Sequence, residues 1–139
     1  MRKRVLTSAI SFILICSLFT SLALAATLRA SKYISSYNAV IYSSGNEITV
    51  DCSITGTGRM KTIGIKSVKI YTSSGTNVAT YSYTTDGYEY LMGSDTGRKT
   101  ASVTYTGTSD KSYYAVVVFY ASDGSGGDSR SYTTKTITV

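Results

Sequence analysis

The stretch that decides the fold is YYAVVVFYA, residues 113–121, in which odd and even positions are both apolar or aromatic. A short run of β-branched and aromatic residues bounded by turn-forming residues is typical of a strand that is covered on both faces. The sequence therefore predicts a central strand here, and it predicts that the other segments of the chain pack beside this strand.

The clearest alternation in the chain lies at 47–55. Its apolar positions are Ile48, Val50, Cys52 and Ile54, and its polar positions are Glu47, Thr49, Asp51 and Ser53. This period of two predicts a strand with one buried face, and it predicts that Cys52 is a small buried hydrophobic residue. The segment Gly56, Thr57, Gly58 then predicts a turn.

Further strands are predicted at 36–42, 62–72, 78–83, 99–106 and 129–139, separated by clusters of Gly, Ser, Asn and Asp. Within 62–72 the apolar parity changes across Lys66 and Ser67, which predicts a bulge. The segment 84–98 is the least regular, and its Tyr88, Leu91 and Met92 are expected to fold back over an edge of the core.

About seven short strands joined by such turns favour an all-β fold, an antiparallel Greek-key β-sandwich. Residues 26–139 are long enough to bury a core of their own, and they contain no internal repeat or linker. We therefore expect a single domain.

The first 25 residues have the pattern of a secretory signal peptide. Arg2, Lys3 and Arg4 precede a mostly apolar segment, and Ala23, Leu24 and Ala25 form a small-x-small cleavage site. We expect cleavage after Ala25 and a secreted or extracellular protein with no membrane association afterwards. A membrane anchor is the alternative, but several Ser and Thr residues interrupt the apolar segment.

The composition of residues 26–139 limits the possible functions. With the signal removed, 11 basic and eight acidic residues remain, and no block of Lys and Arg tracks along the chain. Nucleic acid is therefore not expected as a partner. Cys52 is the one remaining cysteine, so an intrachain disulfide is impossible there, and the chain has no histidine to serve as a base or metal ligand.

Residues 113–121, the loop Gly124, Ser125, Gly126, Gly127 and the closing segment 131–139 resemble the last two strands of immunoglobulin-like and fibronectin type III domains. In those families a tyrosine at the entry of the sixth strand bonds back to the preceding corner, a role that the resemblance gives to Tyr113 or Tyr114. Residues 31–34, 59–64 and 114–121 also resemble small secreted bacterial β-sandwich proteins of unknown function. The resemblance implies an immunoglobulin-like sandwich and no activity.

The acidic residues are scattered along the chain, and no two stand at a spacing that by itself brings them together. We therefore expect a protein that is not an enzyme and needs no cofactor. The loop from Asp123 to Asp128 resembles part of a calcium loop because it combines carboxylates with glycine. It lacks a terminal acidic anchor, and an ordinary hairpin turn is the simpler interpretation.

All 13 tyrosines follow the signal segment, and four of them, Tyr81, Tyr83, Tyr88 and Tyr90, are close in sequence. Exposed rings of this kind could stack on sugars or anchor a protein, although strands also favour tyrosine for packing. In 113–121 one of the two alternate sets of residues faces outward. We expect an exposed apolar contact patch that includes Phe119, unless the segment 84–98 covers it.

These observations predict a secreted, non-catalytic binding module that acts outside the cell or at the cell envelope through a tyrosine-rich surface. The expected partner is a cell-wall polysaccharide or another protein. The alternative is a structural subunit that assembles with copies of itself into a homo-oligomer.

Overall fold

A computed structural model describes residues Ser31–Val139. The predicted signal peptide lies outside these residues. Residues 31–139 form an antiparallel sheet of seven strands with one short 3-10 helix. The strands are β1 (Ile34–Ser44), β2 (Glu47–Thr72), β3 (Asn77–Ser82), β4 (Met92–Thr106), β5 (Ser112–Ser122), β6 (Gly127–Thr133) and β7 (Ile137–Thr138), and the helix is Glu89–Leu91.

Strand β2 is 26 residues long and pairs with four other strands. Its first half pairs with β1 on one side and with the second half of β4 on the other. Its second half pairs with β5 on one side and, on the other, with the start of β4 and then β3. Strands β6 and β7 extend the sheet beyond β5. The all-β, antiparallel prediction is therefore confirmed.

The predicted turn at Gly56, Thr57 and Gly58 is wrong. These residues lie inside β2, at a shift of register between Thr55 and Met60. A side chain added at Gly56 would come within 2.8 Å of Cγ of Met60, so the strand bends there at a point where glycine is needed for space. Two predicted strands are thus one bent strand.

The predicted bulge near Lys66 and Ser67 is confirmed, because the register between β2 and β5 shifts between Ile65 and Ser67. The segment 84–98 contains the 3-10 helix and the first residues of β4. Leu91 is buried there, as expected from the sequence. The predicted last strand, 129–139, is divided into β6 and β7.

The sheet curls over its core into an open half-barrel. Strand β1 faces β5 and β6 across this core, because the ring of Tyr37 lies 5.4 Å from that of Phe119 and 6.4 Å from that of Tyr132. The alternating apolar residues of β2 fill the space between them, and the fully buried ones are Ile48, Val50, Ile54, Ile63, Ile65, Val68 and Ile70. Burial of this apolar surface is the main stabilising contribution.

Tyr113 holds the loop that precedes β5. Its ring is buried, and its hydroxyl oxygen accepts a hydrogen bond from the backbone N–H of Thr108 at 2.9 Å. Tyr114 faces the other side of β5 and stacks on Tyr71, with ring centroids 5.3 Å apart. The resemblance to immunoglobulin-like domains allowed either Tyr113 or Tyr114 to bond back to the corner before this strand. In the structure Tyr113 makes that bond.

Candidate functional site

Three of the four clustered tyrosines come together beside the free edge of β4. The ring of Tyr81, on β3, lies 5.1 Å from that of Tyr88, and Tyr88 lies 6.1 Å from Tyr90. Tyr83 follows β3 and packs against the core without joining this stack. Tyr81 and Tyr88 also pack against the core, whereas the side chain of Tyr90 is 45% exposed. Of the three stacked rings, only that of Tyr90 is therefore strongly exposed to solvent.

Two hydroxyls of the cluster cover backbone groups of β4. Tyr81 donates to the carbonyl oxygen of Thr104 at 2.6 Å, and Tyr90 donates to that of Ser102 at 2.8 Å. Burial, followed by the neighbouring tyrosines, raises the pKa of both phenols, so the hydroxyls remain protonated donors. These tyrosines close a sheet edge that would otherwise expose unpaired carbonyl groups.

An open groove of about 490 Å³ lies on the outer face of β1, β2 and β4. The strand registers explain its lining, because Val40, Asp51 and Ser102 stand side by side on the three strands. Asn38, Ser53 and Thr100 form the next row. The groove is thus lined by one carboxylate, one amide and three hydroxyls, together with the apolar residues Val40, Cys52 and Ala101.

Asp51 and Ser102 are linked across the groove, since Oγ of Ser102 donates to Oδ1 of Asp51 at 2.5 Å. The other carboxylate oxygen of Asp51 has no protein donor among the described residues. Because a carboxylate can accept up to about four hydrogen bonds, Asp51 can still accept from a bound hydroxyl. Asp51 is therefore the strongest polar anchor in the groove.

Exposed tyrosines stand on both sides of the groove. Tyr42 lies two residues beyond Val40 on the same face of β1, and its side chain is 45% exposed. On the other side, Tyr90 reaches the edge of β4 at the carbonyl of Ser102. The sequence shows which residues of 47–55 face outward. It does not show which residues of β1 and β4 stand beside them, because that depends on the strand registers. The groove was therefore not predicted from the sequence.

Phe119 does not lie in an exposed patch, and that prediction is wrong. Its side chain is fully buried against Tyr37 in the core. The opposite face of β5 is the partly exposed one, and it consists of Tyr114, Val116, Val118 and Tyr120. Both sets are apolar, so the alternation could not show which faces the core. Tyrosine tolerates the outward face because its hydroxyl can remain in water.

The carboxylates of the loop between β5 and β6 bond to the protein itself. Oδ1 of Asp123 accepts from the backbone N–H and the hydroxyl of Ser125 and from the N–H of Gly126. The Ser125 hydroxyl, followed by its N–H, lowers the pKa of Asp123. Asp128 pairs with Arg130 at 2.8 Å. Within residues 31–139, no three acidic or Cys side chains are grouped closely enough to hold a metal ion.

Cys52 lies on the core side of β2, between Ala39 of β1 and Ala101 of β4 in the strand registers. It is buried, as predicted. Burial, with a further contribution from the negative charge of Asp51, raises the pKa of the thiol to about 12. At neutral pH Cys52 is therefore a protonated, apolar core residue and not a nucleophile.

The chain matches no protein-family model and no curated protein. Within the part of the chain that the structure describes, no helix has the length and apolar character needed to cross a membrane.

Proposed function

We propose that the protein is a non-catalytic module that binds a polysaccharide in the groove on the outer face of β1, β2 and β4. The observation that carries the proposal is the set of polar side chains in that groove, centred on Asp51. Sugar hydroxyls need both donors and acceptors, and carboxylate, amide and hydroxyl groups supply them. Because the groove is open, it suits a segment of a long chain.

The tyrosines extend this site on both sides. The face of a sugar ring carries C–H groups that pack on aromatic rings. Tyr42 and Tyr90 are the two tyrosines with strongly exposed side chains. The sequence predicted that Tyr81, Tyr83, Tyr88 and Tyr90 form the aromatic contact surface for the ligand. In this proposal Tyr42 and Tyr90 form that surface instead.

The carboxylates support a binding role over a hydrolytic one. Glycosidases of the common types need two carboxylates about 5 to 10 Å apart around the cleaved bond. Asp51 is the single acidic residue among those that line the groove. The module would therefore hold a polysaccharide without cleaving it.

A secreted location and an immunoglobulin-like sandwich are parts of the same proposal. The first is supported by the charge and hydropathy pattern of residues 1–25. The second is supported by the hydrogen bond between Tyr113 and Thr108, which has the form of the tyrosine corner of those domains. A polysaccharide of the cell envelope is the partner that fits both.

The experiment is retention of the purified protein on insoluble cell-wall polysaccharides, with affinities measured on soluble fragments. Asp51→Asn removes the charge of the groove, and we expect it to weaken binding by about tenfold, since hydrogen bonds to charged groups contribute about 1.5 to 3 kcal/mol. Glu47→Gln is the matched control, because Glu47 lies on the same face of β2 outside the groove.

Absence of retention on every polysaccharide tested would contradict the proposal. Equal losses from Asp51→Asn and Glu47→Gln would also contradict it, because they would indicate a general effect of charge. Tyr42→Ala should weaken binding as well, whereas Tyr83→Phe should leave it unchanged.

A further inference from the structure

Strand β1 presents a different free edge from the other outer strands. The edge of β4 is covered by Tyr81 and Tyr90, and β3 is only six residues long. Strand β6 carries the ion pair of Asp128 and Arg130. Strand β1 is 11 residues long and contains no charged residue and no proline. An edge strand is usually kept from pairing with another chain by side chains that cover it, by its short length or by its charge. Strand β1 has none of these features.

The backbone groups that β1 leaves open can be identified from its hairpin. Ser44 pairs with Glu47 across a two-residue turn, in which Gly45 has a φ of 57°. In such a hairpin the two flanking residues bond to each other, and alternate residues point to opposite sides. The N–H and C=O groups of Tyr37, Ala39, Ile41 and Ser43 therefore point away from β2. No hydrogen bond from another described residue reaches them.

The space beside these groups is open. A groove of about 280 Å³ runs along residues 38–41 and separates them from Tyr132, Thr134 and Lys135. Beside it, on the outer face of β1, Val40 is 46% and Tyr42 is 45% exposed. These are two of the three strongly exposed large apolar side chains in the described part of the chain. The open edge and the exposed apolar residues thus coincide on one strand.

We propose that β1 pairs antiparallel with β1 of a second copy of the chain, across a two-fold axis at Ile41. The open backbone groups of Ala39, Ile41 and Ser43 would then meet those of Ser43, Ile41 and Ala39 in the other copy. In this register Val40 of each copy stands opposite Tyr42 of the other. Aromatic and β-branched side chains form favourable cross-strand pairs, and each would cover one flank of the other while its outward side stays open.

A second copy is the occupant that this edge fits best. The strand is uncharged, so no like charges meet when it pairs with itself. The same two exposed side chains serve as both halves of the contact, as a two-fold interface requires. An acidic or basic partner would find no complementary charge on β1 itself.

The pairing has a consequence for binding that rests on the proposed function. With the axis perpendicular to the sheet, both grooves would lie on one six-stranded outer face. The two copies of Asp51 would lie three strand spacings apart across the sheet, about 14 Å, and two residues apart along the strands, about 7 Å. Two sites this close could hold one polysaccharide chain together, and the second contact would raise the overall affinity without any new side chain.

Sedimentation of the purified protein tests the pairing. We expect the wild type to have the mass of a dimer. Val40→Lys places two ammonium groups near the axis and should yield a monomer, with dimer affinity lowered at least about tenfold. Thr104→Lys is the matched control, since it adds the same charge on the same face at the exposed Thr104 of β4. A wild type that remains monomeric up to about 1 mM, or equal effects of both lysines, would overturn the proposal.

Crosslinking tests the register. A mixture of Val40→Cys and Tyr42→Cys chains, oxidised with copper phenanthroline, should give a disulfide-linked dimer faster than either variant alone. These positions would form a non-hydrogen-bonded pair, whose short separation suits a disulfide. Faster crosslinking of Val40→Cys with itself would overturn the axis at Ile41. Cys52 is buried and does not compete.

A proline separates this proposal from the proposed function. Ser43→Pro removes an N–H that points to the open edge and lies outside the groove. We expect a folded monomer that keeps its affinity for short sugar fragments and loses affinity for long chains. A dimeric Ser43→Pro variant would overturn the pairing. A wild-type dimer without polysaccharide retention would overturn the proposed function alone.

Discussion

The hydroxyl oxygen of Tyr113 lies 2.9 Å from the backbone nitrogen of Thr108, and the ring that carries it is buried in the core. A residue of β5 therefore fixes the loop through which the chain enters β5. The same ring lies 6.0 Å from that of Tyr105, at the end of β4. The loop is thus attached to the core at a point shared by two strands.

Tyr113→Phe should lower the free energy of unfolding by about 1 to 2 kcal/mol, because it removes a hydrogen bond and leaves the N–H of Thr108 unpaired. Urea unfolding followed by circular dichroism measures this change. Tyr114→Phe is the control. Its ring stacks on Tyr71 on the outer face, and we expect a loss below about 0.5 kcal/mol. Equal losses would contradict the selection of Tyr113.

Phe119→Ala should destabilise the fold by about 3 to 5 kcal/mol, because the ring is fully buried and its removal leaves a cavity beside Tyr37. Val118→Ala, on the partly exposed face of the same strand, should lower stability by about 1 kcal/mol. Chemical denaturation of both variants compares the two faces of β5. A larger loss for Val118→Ala would mean that the faces are reversed.

Gly64→Ala should lower the free energy of unfolding by about 1 to 3 kcal/mol. An added Cβ would overlap the carbonyl oxygen of Leu91 and lie 2.8 Å from Cα of Met92. Both neighbours belong to the backbone and cannot move aside without disturbing β4. Gly58→Ala meets nothing within 4 Å and should change stability little. Thermal unfolding of the two variants separates close packing from a general effect of removing glycine.

Alkaline pH should destabilise the protein through Cys52. Burial raises the pKa of its thiol from an ordinary value of 9.0 to about 12, so the unfolded chain releases this proton first. The stabilising contribution is complete below about pH 9 and is lost as the pH rises to about 12. Between pH 8 and 10 the wild type should lose about 1 kcal/mol more than Cys52→Ala.

The comparison with Cys52→Ala removes the effect of the tyrosines, which also ionise at high pH and are present in both proteins. Urea unfolding at the two pH values gives the difference. Parallel loss of stability in both proteins would show that Cys52 is accessible to solvent in the folded state. Slow reaction of the native wild type with a thiol reagent at pH 8 is the second expected result.

The strands themselves were largely predictable because burial on one face imposes a period of two. The alternation from Ile48 to Ile54 and the bulge near Ser67 both follow from this period, and both are confirmed. The turn at Gly56 was not predictable in the same way. Glycine permits a turn and a bent strand alike, and the distinction depends on β1 and β4, which hydrogen-bond to both sides of β2.

The candidate site could be predicted less well than the fold. Phe119 and Val118 are both apolar, and only the packing of β1 over β5 decides which of them is covered. The roles of Tyr81 and Tyr90 depend on carbonyl groups of β4 that are distant in sequence. The groove around Asp51 requires the registers of three strands. All three features depend on contacts between residues that are distant in sequence, and the local pattern of apolar and polar residues does not specify such contacts.

The length of β2 determines how the molecule unfolds. Because one strand hydrogen-bonds to β1, β3, β4 and β5, none of these four strands can leave the sheet without breaking pairs made by β2. The backbone amides of β2 should therefore exchange with deuterium only when the whole molecule opens. Most of these pairings join distant segments of the chain, so the protein should also fold slowly for its size, and in a single cooperative step.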